Sequence, residues 1–230
     1  MPESSVVTID GPAGVGKSSV SRQVAAALAY SYLDTGAMYR AVAVFAHDQG
    51  IADTDSEAIA DALSHLQLEI VPDKDRGSRV FVNGFDVTDR LRSPEVSLAS
   101  SRVSALPPVR QKLRAMQRQI GAAGRVVAEG RDMGTVVFPA AAHKFFLDAN
   151  PEIRAHRRAL QLRAMGRQVD EADILRQTIE RDRQDSERPI AKLRPAATAL
   201  IIDTSDKTQA EVTRMIIDRV RSGPQWDGEK

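Results

Sequence analysis

The sequence predicts an α/β fold: a parallel sheet flanked by helices, broken by one small antiparallel insertion and carrying a mobile helical lid. Three observations predict it. Short β-rich runs alternate with longer segments of helical period, as parallel strands joined by crossover helices require. A glycine-rich loop separates the first such run from the first helical segment. Where the alternation lapses, Asn83-Gly84 divides two short apolar runs, the strongest local signal for a tight hairpin.

The strand candidates are Val6 to Ile9, Tyr30 to Leu33, Val126 to Glu129, Lys144 to Leu147 and Leu200 to Ile202. Helical patterns fill Lys17 to Ala29, Ala37 to Gln49, Pro94 to Ser104, Val109 to Ala122, Glu152 to Met165, Ala172 to Glu187 and Gln209 to Arg221. In the insertion, residues 66–90, Leu66, Leu68 and Ile70 repeat with period two, and Arg79 to Val82 faces Phe85 to Val87 across the Asn-Gly turn. The whole chain reads as one domain, with a loose tail from Ser222 to Lys230 rich in glycine and proline.

Gly11-Pro12-Ala13-Gly14-Val15-Gly16-Lys17-Ser18 is a complete Walker A motif in the strand-loop-helix context it needs, so the expected fold is of the P-loop type. Its glycines let backbone N–H groups turn toward phosphates, Lys17 adds a point charge, and the Ser18 hydroxyl suits Mg²⁺. Ser19, at the start of the helix, completes the cradle. The cofactors expected are therefore ATP and Mg²⁺.

Composition narrows the partners. The 230 residues carry 32 basic and 31 acidic side chains, a net charge of +1, so no global field draws the chain to nucleic acid or to a membrane. Any basic site must be local. There is no cysteine, hence no disulfide and no thiolate chemistry. Met1 to Ser5 lacks a basic leader, no apolar run is long enough to span a bilayer, and the expectation is a cytoplasmic monomer. His47, His65, His143 and His156 show no metal-ligand grouping.

The arginines locate a second anion. From Ala172 to Glu187, Ile174 and Thr178 begin an inward stripe whose next members are Arg181, Asp185 and Arg188, so a core-facing face turns charged as though it meets a polar ligand. Pro189 stops that helix beside Arg188. Thr35-Gly36 opens another helix, where free N–H groups favour an anion, with Tyr39 and Arg40 in its first turns. Arg154, Arg157 and Arg158 share a helical face, with Arg163 and Arg167 beyond, and Gly166 near the helix end would let residues 152–188 swing as a lid over a triphosphate. Arg157 and Arg158 are the lid residues assigned to ATP.

Together with Thr8-Ile9-Asp10-Gly11, the segments Leu33-Asp34-Thr35-Gly36-Ala37-Met38-Tyr39-Arg40, Gly130-Arg131-Asp132-Met133-Gly134-Thr135-Val136-Val137-Phe138-Pro139 and Ala155-His156-Arg157-Arg158 closely resemble the bacterial cytidylate kinases of the nucleoside monophosphate kinase family. The antiparallel insertion matches a segment that marks this family. Glu129 stands where aspartate is expected, and Thr35 where serine is frequent.

The resemblance implies transfer of a phosphoryl group from ATP to CMP or dCMP. It implies that Arg40, Arg131 and Arg188 grip the acceptor's phosphate, that Ser101, Arg110 and Asp132 read cytosine, that Arg181 and Asp185 contact the pentose, and that Thr35 and Tyr39 line the same site. Lys17, Arg131 and Arg188 then carry catalysis. The base chemistry is consistent: a carboxylate such as that of Asp132 accepts from the cytosine N4 donor and would face an oxygen in uracil.

Other readings have less support. A guanine-reading Asn-Lys-x-Asp segment is missing, and Phe145-Phe146-Leu147-Asp148 continues with Ala149 rather than the acidic pair of a helicase-like ATPase. A P-loop kinase of UMP, shikimate or a nucleoside is the nearest alternative. A nucleic-acid-binding module would draw on the arginine-rich hairpin, but only 4% of the chain is aromatic.

Overall fold

The computed structural model describes residues 5–73, 77–188 and 190–223; Pro189 and most of the expected tail lie outside the described residues. The elements in chain order are β1 (Val6–Asp10), α1 (Lys17–Leu28), β2 (Ser31–Asp34), α2 (Thr35–Asp48), α3 (Ser56–Ala62), β3 (Leu68–Asp73), β4 (Gly77–Val82), β5 (Phe85–Asp86), α4 (Pro94–Val103), α5 (Pro107–Gly121), β6 (Val126–Gly130), β7 (His143–Asp148), α6 (Pro151–Ala164), α7 (Glu171–Glu187), β8 (Leu200–Asp203) and α8 (Gln209–Arg221). Two compact units emerge, residues 1–30 with 124–230, and residues 31–123.

In the first unit β6, β1, β7 and β8 lie side by side in that order in one sheet. The pairs β1–β6, β1–β7 and β7–β8 are parallel. All five positions of β1 are buried, which is why Val-Val-Thr-Ile-Asp shows no alternation: a strand flanked by partners and covered by helices has no wet face. Helix α1 packs along α8, and α6 lies along α7 around Ala155, Ala159 and Ile174.

In the second unit α2 is apolar on nearly every side and packs against α4, α5 and β4. Strands β3, β4 and β5 form the antiparallel sheet expected from the Asn-Gly signal, with Leu68 opposite Val82. Asn83 and Gly84 both have positive φ, as a two-residue hairpin turn of this hand demands. Leu66 is buried but stands before the strand, just after a 3-10 turn at Leu63–His65.

Three local differences from the sequence reading have identifiable causes. Helix α2 starts at Thr35 rather than Ala37 because the Asp34 carboxylate caps it by accepting from the Ala37 N–H. Helix α5 starts at Pro107 because proline fits a first helical turn, where its missing N–H costs nothing. Helix α3 and a π-helical turn at Met133–Val137 were not foreseen, being short segments without a clear period.

The turn out of β1 is where the backbone is most constrained. Gly11 has φ +148°, and a Cβ there would lie 2.1 Å from the Leu147 carbonyl oxygen at the end of β7. Gly16 has φ +90° but open space where its Cβ would be. Gly11→Ala should therefore cost about 3 kcal/mol through forced displacement of β7, while Gly16→Ala should cost about 1–2 kcal/mol of backbone strain. Urea unfolding of the two variants checks this order.

Candidate functional site

Helix α1 begins directly on the glycine loop, and its N-cap, Gly16, makes no side-chain capping bond, so the first N–H groups remain available to an anion. A cavity of about 530 Å³ opens there. Gly14, Val15, Gly16, Lys17, Ser18 and Ser19 line it on one side, with Arg157, Leu160 and Gln161 of α6 and Thr204, Lys207, Gln209 and Val212 around it. Gly11, Pro12 and Ala13 form the loop's back instead: Pro12 offers its carbonyl to Lys17 Nζ at 2.6 Å, and Ala13 offers its own to Arg154 Nη1 at 3.2 Å.

Lys17 is only 7% exposed. Burial lowers its pKa well below the usual lysine value, the Arg131 charge adds to that, and Glu129 and Asp10 oppose it. Arg131 and Lys17 thus lie within reach of each other's fields. Ser18 Oγ donates to Glu129 Oε2 at 3.0 Å, joining the loop to the end of β6. Among the described residues no group of three or more His, Cys, Asp or Glu could cage a metal. Ser18 and Glu129 supply only hard oxygens, a set that suits a Mg²⁺ held mainly by water and phosphate.

Arg131 and Arg188 are joined by one carboxylate. Asp185, 5% exposed on the inward stripe of α7, accepts from Arg131 Nε at 2.9 Å through Oδ2 and from Arg188 Nη2 at 2.6 Å through Oδ1. Burial pushes Asp185 up, but Arg131, Arg188 and Arg181 together outweigh it and hold the group below the ordinary value of 3.8. The stripe expected from the sequence is real: Ile174 and Asp185 are buried, and Thr178, Arg181 and Arg188 are half-buried.

Two buried charges escaped the sequence reading. Asp10 receives the N–H of Met133 at 2.9 Å on Oδ1 and that of Gly134 at 2.8 Å on Oδ2. Burial raises it to about 7, with the Asp132 charge adding and the two backbone donors and Lys17 opposing. An acid closing an otherwise apolar strand is the signal that could have found it. Arg154, expected on the lid face, is buried and donates to the carbonyls of Ala149 and Ala13 and to Asp182 Oδ2. Arg157, beside the cavity, donates to the carbonyls of Thr204 and Ser205. Arg158 does not line the cavity; burial lowers its pKa, and Arg167 adds to that. Asp132 is buried within the same unit.

The remaining assigned residues belong to the second unit. Thr35 is buried at the first position of α2, and Arg40 pairs with Asp34 at 3.1 Å, so that helix end already holds a carboxylate of its own. Arg110 is buried, donates to the Ser104 carbonyl at 3.1 Å, and stacks over the Tyr39 ring at 5.7 Å. Ser101 is half-buried on α4.

A parallel sheet whose first strand feeds a glycine cradle, with a lysine and serine at the head of the next helix, defines a nucleotide-binding P-loop protein. The profile of the cytidylate kinase family matches residues 7–222. A cytidylate kinase of Nitratidesulfovibrio vulgaris is 48% identical over 219 residues, 94% of this chain and 93% of that one. One from Pelotomaculum thermopropionicum is 45% identical over 94% of this chain and 96% of that one. A gluconokinase structure from Sinorhizobium meliloti covers 94% of this chain and 91% of that one at 16% identity, with a TM-score of 0.44. The chain belongs to the cytidylate kinase family.

Removing Asp185 takes away the buried carboxylate that Arg131 and Arg188 share. Asp185→Ala should cost about 3 kcal/mol in urea unfolding at neutral pH. Because the folded pKa is depressed, the carboxylate's contribution is complete above pH 3.8 and is lost as pH falls below it. Asp185→Asn should flatten that acid limb, which thermal melts across pH 2 to 5 check.

Proposed function

We propose that this chain transfers the γ-phosphoryl group of ATP to CMP or dCMP, giving ADP and the corresponding diphosphate. The observation that carries the reading is the adjacency of Arg131 and Lys17, whose charges act on each other at the ends of neighbouring strands. A donor's phosphates on the cradle and an acceptor's phosphate on the Asp185-linked arginines would then meet between them. Family membership supports the same reaction.

The reaction needs no protein nucleophile. A phosphate monoester is mostly dianionic at neutral pH, its second pKa being about 6, so its oxygen attacks as it stands. The protein's work is alignment and neutralisation. Lys17 leaves the Pro12 carbonyl for the donor phosphates, and Arg131, Arg188 and Arg40 hold the acceptor phosphate. Ser18, with Glu129 behind it, would hold a Mg²⁺, which would supply further positive charge to the donor phosphates. Asp132 takes the cytosine N4 donor, with Arg110 and Ser101 on the other polar atoms; Arg181 and Asp185 hold the pentose. Residues 152–188 close as a lid that excludes water, bringing Arg157 and Arg158 to the triphosphate. The substrates are water-soluble polyanions, and we place the enzyme in the cytoplasm as a monomer.

A coupled assay with ATP and Mg²⁺ should show rapid ADP release with CMP and dCMP, and a kcat/KM for UMP lower by about 100-fold or more. Rapid turnover with UMP, AMP or GMP would overturn the assignment of Asp132. Lys17→Ala and Arg131→Ala should each lower kcat by about 10²–10³ while circular dichroism stays native.

A further inference from the structure

Asp10 takes no part in the mechanism above, yet it is a fully buried carboxylate one residue before the phosphate loop. Its two oxygens each receive a backbone N–H from the turn that follows Arg131 and Asp132. That turn also lies close on β1: a Cβ on Gly134 would be 3.0 Å from Thr8 Oγ1 and 3.4 Å from Asp10 Oδ2. Hydrogen bonding and close approach thus independently dock the π-helical turn on the strand that launches the donor cradle.

We propose that Asp10 is a positioning residue that hooks the Met133–Val137 turn onto β1, and so sets where Arg131 and Asp132 stand relative to Lys17. The physical argument is one of stiffness. A π-helical turn has looser backbone bonding than an α-helix and does not hold a fixed direction alone. Two N–H groups anchored to one carboxylate remove that freedom at the residues directly after Asp132. The hook acts on the acceptor's side chains while leaving the loop's own phosphate-facing N–H groups untouched.

The inference rests on the proposed roles of Arg131 and Asp132, and the experiment separates the two. In Asp10→Asn the amide keeps one acceptor and turns an N–H₂ toward a backbone donor, breaking half of the hook with little change in volume. The expected result is a rise of about tenfold or more in KM for CMP, a smaller preference for CMP over UMP, and a distinctly smaller change in KM for ATP, which reflects only the loss of the Asp10 charge acting on Lys17. Gly134→Ala, which lifts the same turn from the strand side, should give the same split. Amide exchange at Met133 and Gly134 should quicken in Asp10→Asn whatever the substrate, which tests the hook without relying on the reaction. Unchanged exchange, or equal losses for ATP and CMP, would overturn the proposal. Quickened exchange with no change in CMP binding or discrimination would overturn the positioning role. Wild-type enzyme that ignores CMP would instead overturn the functional reading. If Asp10→Asn does not fold, the Gly134→Ala split decides: a selective loss of CMP binding sustains the hook, and parent-like constants overturn it.

Discussion

Two phosphorylated nucleotides react only when their like charges are brought close, and at about 4 Å two unit charges near a protein surface repel by about 4 kcal/mol. A protein that closes this gap must hold cations out of water before any phosphate arrives. Lys17 is held in this way: the Arg131 charge lowers its hold on a proton, and acids beside it offset the repulsion. Glu129 and Asp10 do this for Lys17, and Asp185 does it for Arg131 and Arg188. In this structure each cation is held by a partner of its own, the Pro12 carbonyl for Lys17 and the shared Asp185 carboxylate for Arg131 and Arg188.

The fold serves that arrangement through strand ends. β1 and β6 are parallel neighbours, with Asp10 opposite Gly130, so the residues leaving them, Gly11 and Arg131, start side by side. Helix α7 then brings a buried acid against Arg131, and α6 brings Arg154 against the loop's own backbone at Ala13. Arg131, Arg188 and Arg154 each have an acid set beside them, so the field there is local, in keeping with a net charge of only +1.

The sheet, the hairpin and the cradle were legible because their signals are local: a period, an Asn-Gly pair, a glycine spacing. The charged stripe of α7 was legible for the same reason, since positions 174, 178, 181, 185 and 188 share a face by helical geometry alone. The hook of Asp10 and the tie of Arg154 were not. Their bonds span 123 and 141 residues in sequence, and no spacing rule connects an acid before the loop to a turn after β6. Arg154 reads as one of the arginines of a lid over a triphosphate because three arginines at helical spacing look alike on a wheel; only packing distinguishes the buried one.

That placement of Arg154 constrains how the α6–α7 hairpin can move. Its guanidinium is fastened to Ala149, Ala13 and Asp182, so the start of α6 is fixed to the loop and to α7 at once. Swinging the whole hairpin would strip a buried cation of its bonds to the Ala149 and Ala13 carbonyls, leaving only the Asp182 pairing that moves with it. The far end carries no such tie: Gly166 has a positive φ with open space around it, and residues 163–168 are exposed. Bending about that fixed base, with residues 152–188 anchored at the start of α6, is the motion these bonds leave open. Arg157, one turn along α6, lines the cavity beside the glycine loop and donates to the carbonyls of Thr204 and Ser205 and, at 3.4 Å, to the Thr204 hydroxyl, neutral partners unlike the acid that fastens Arg154.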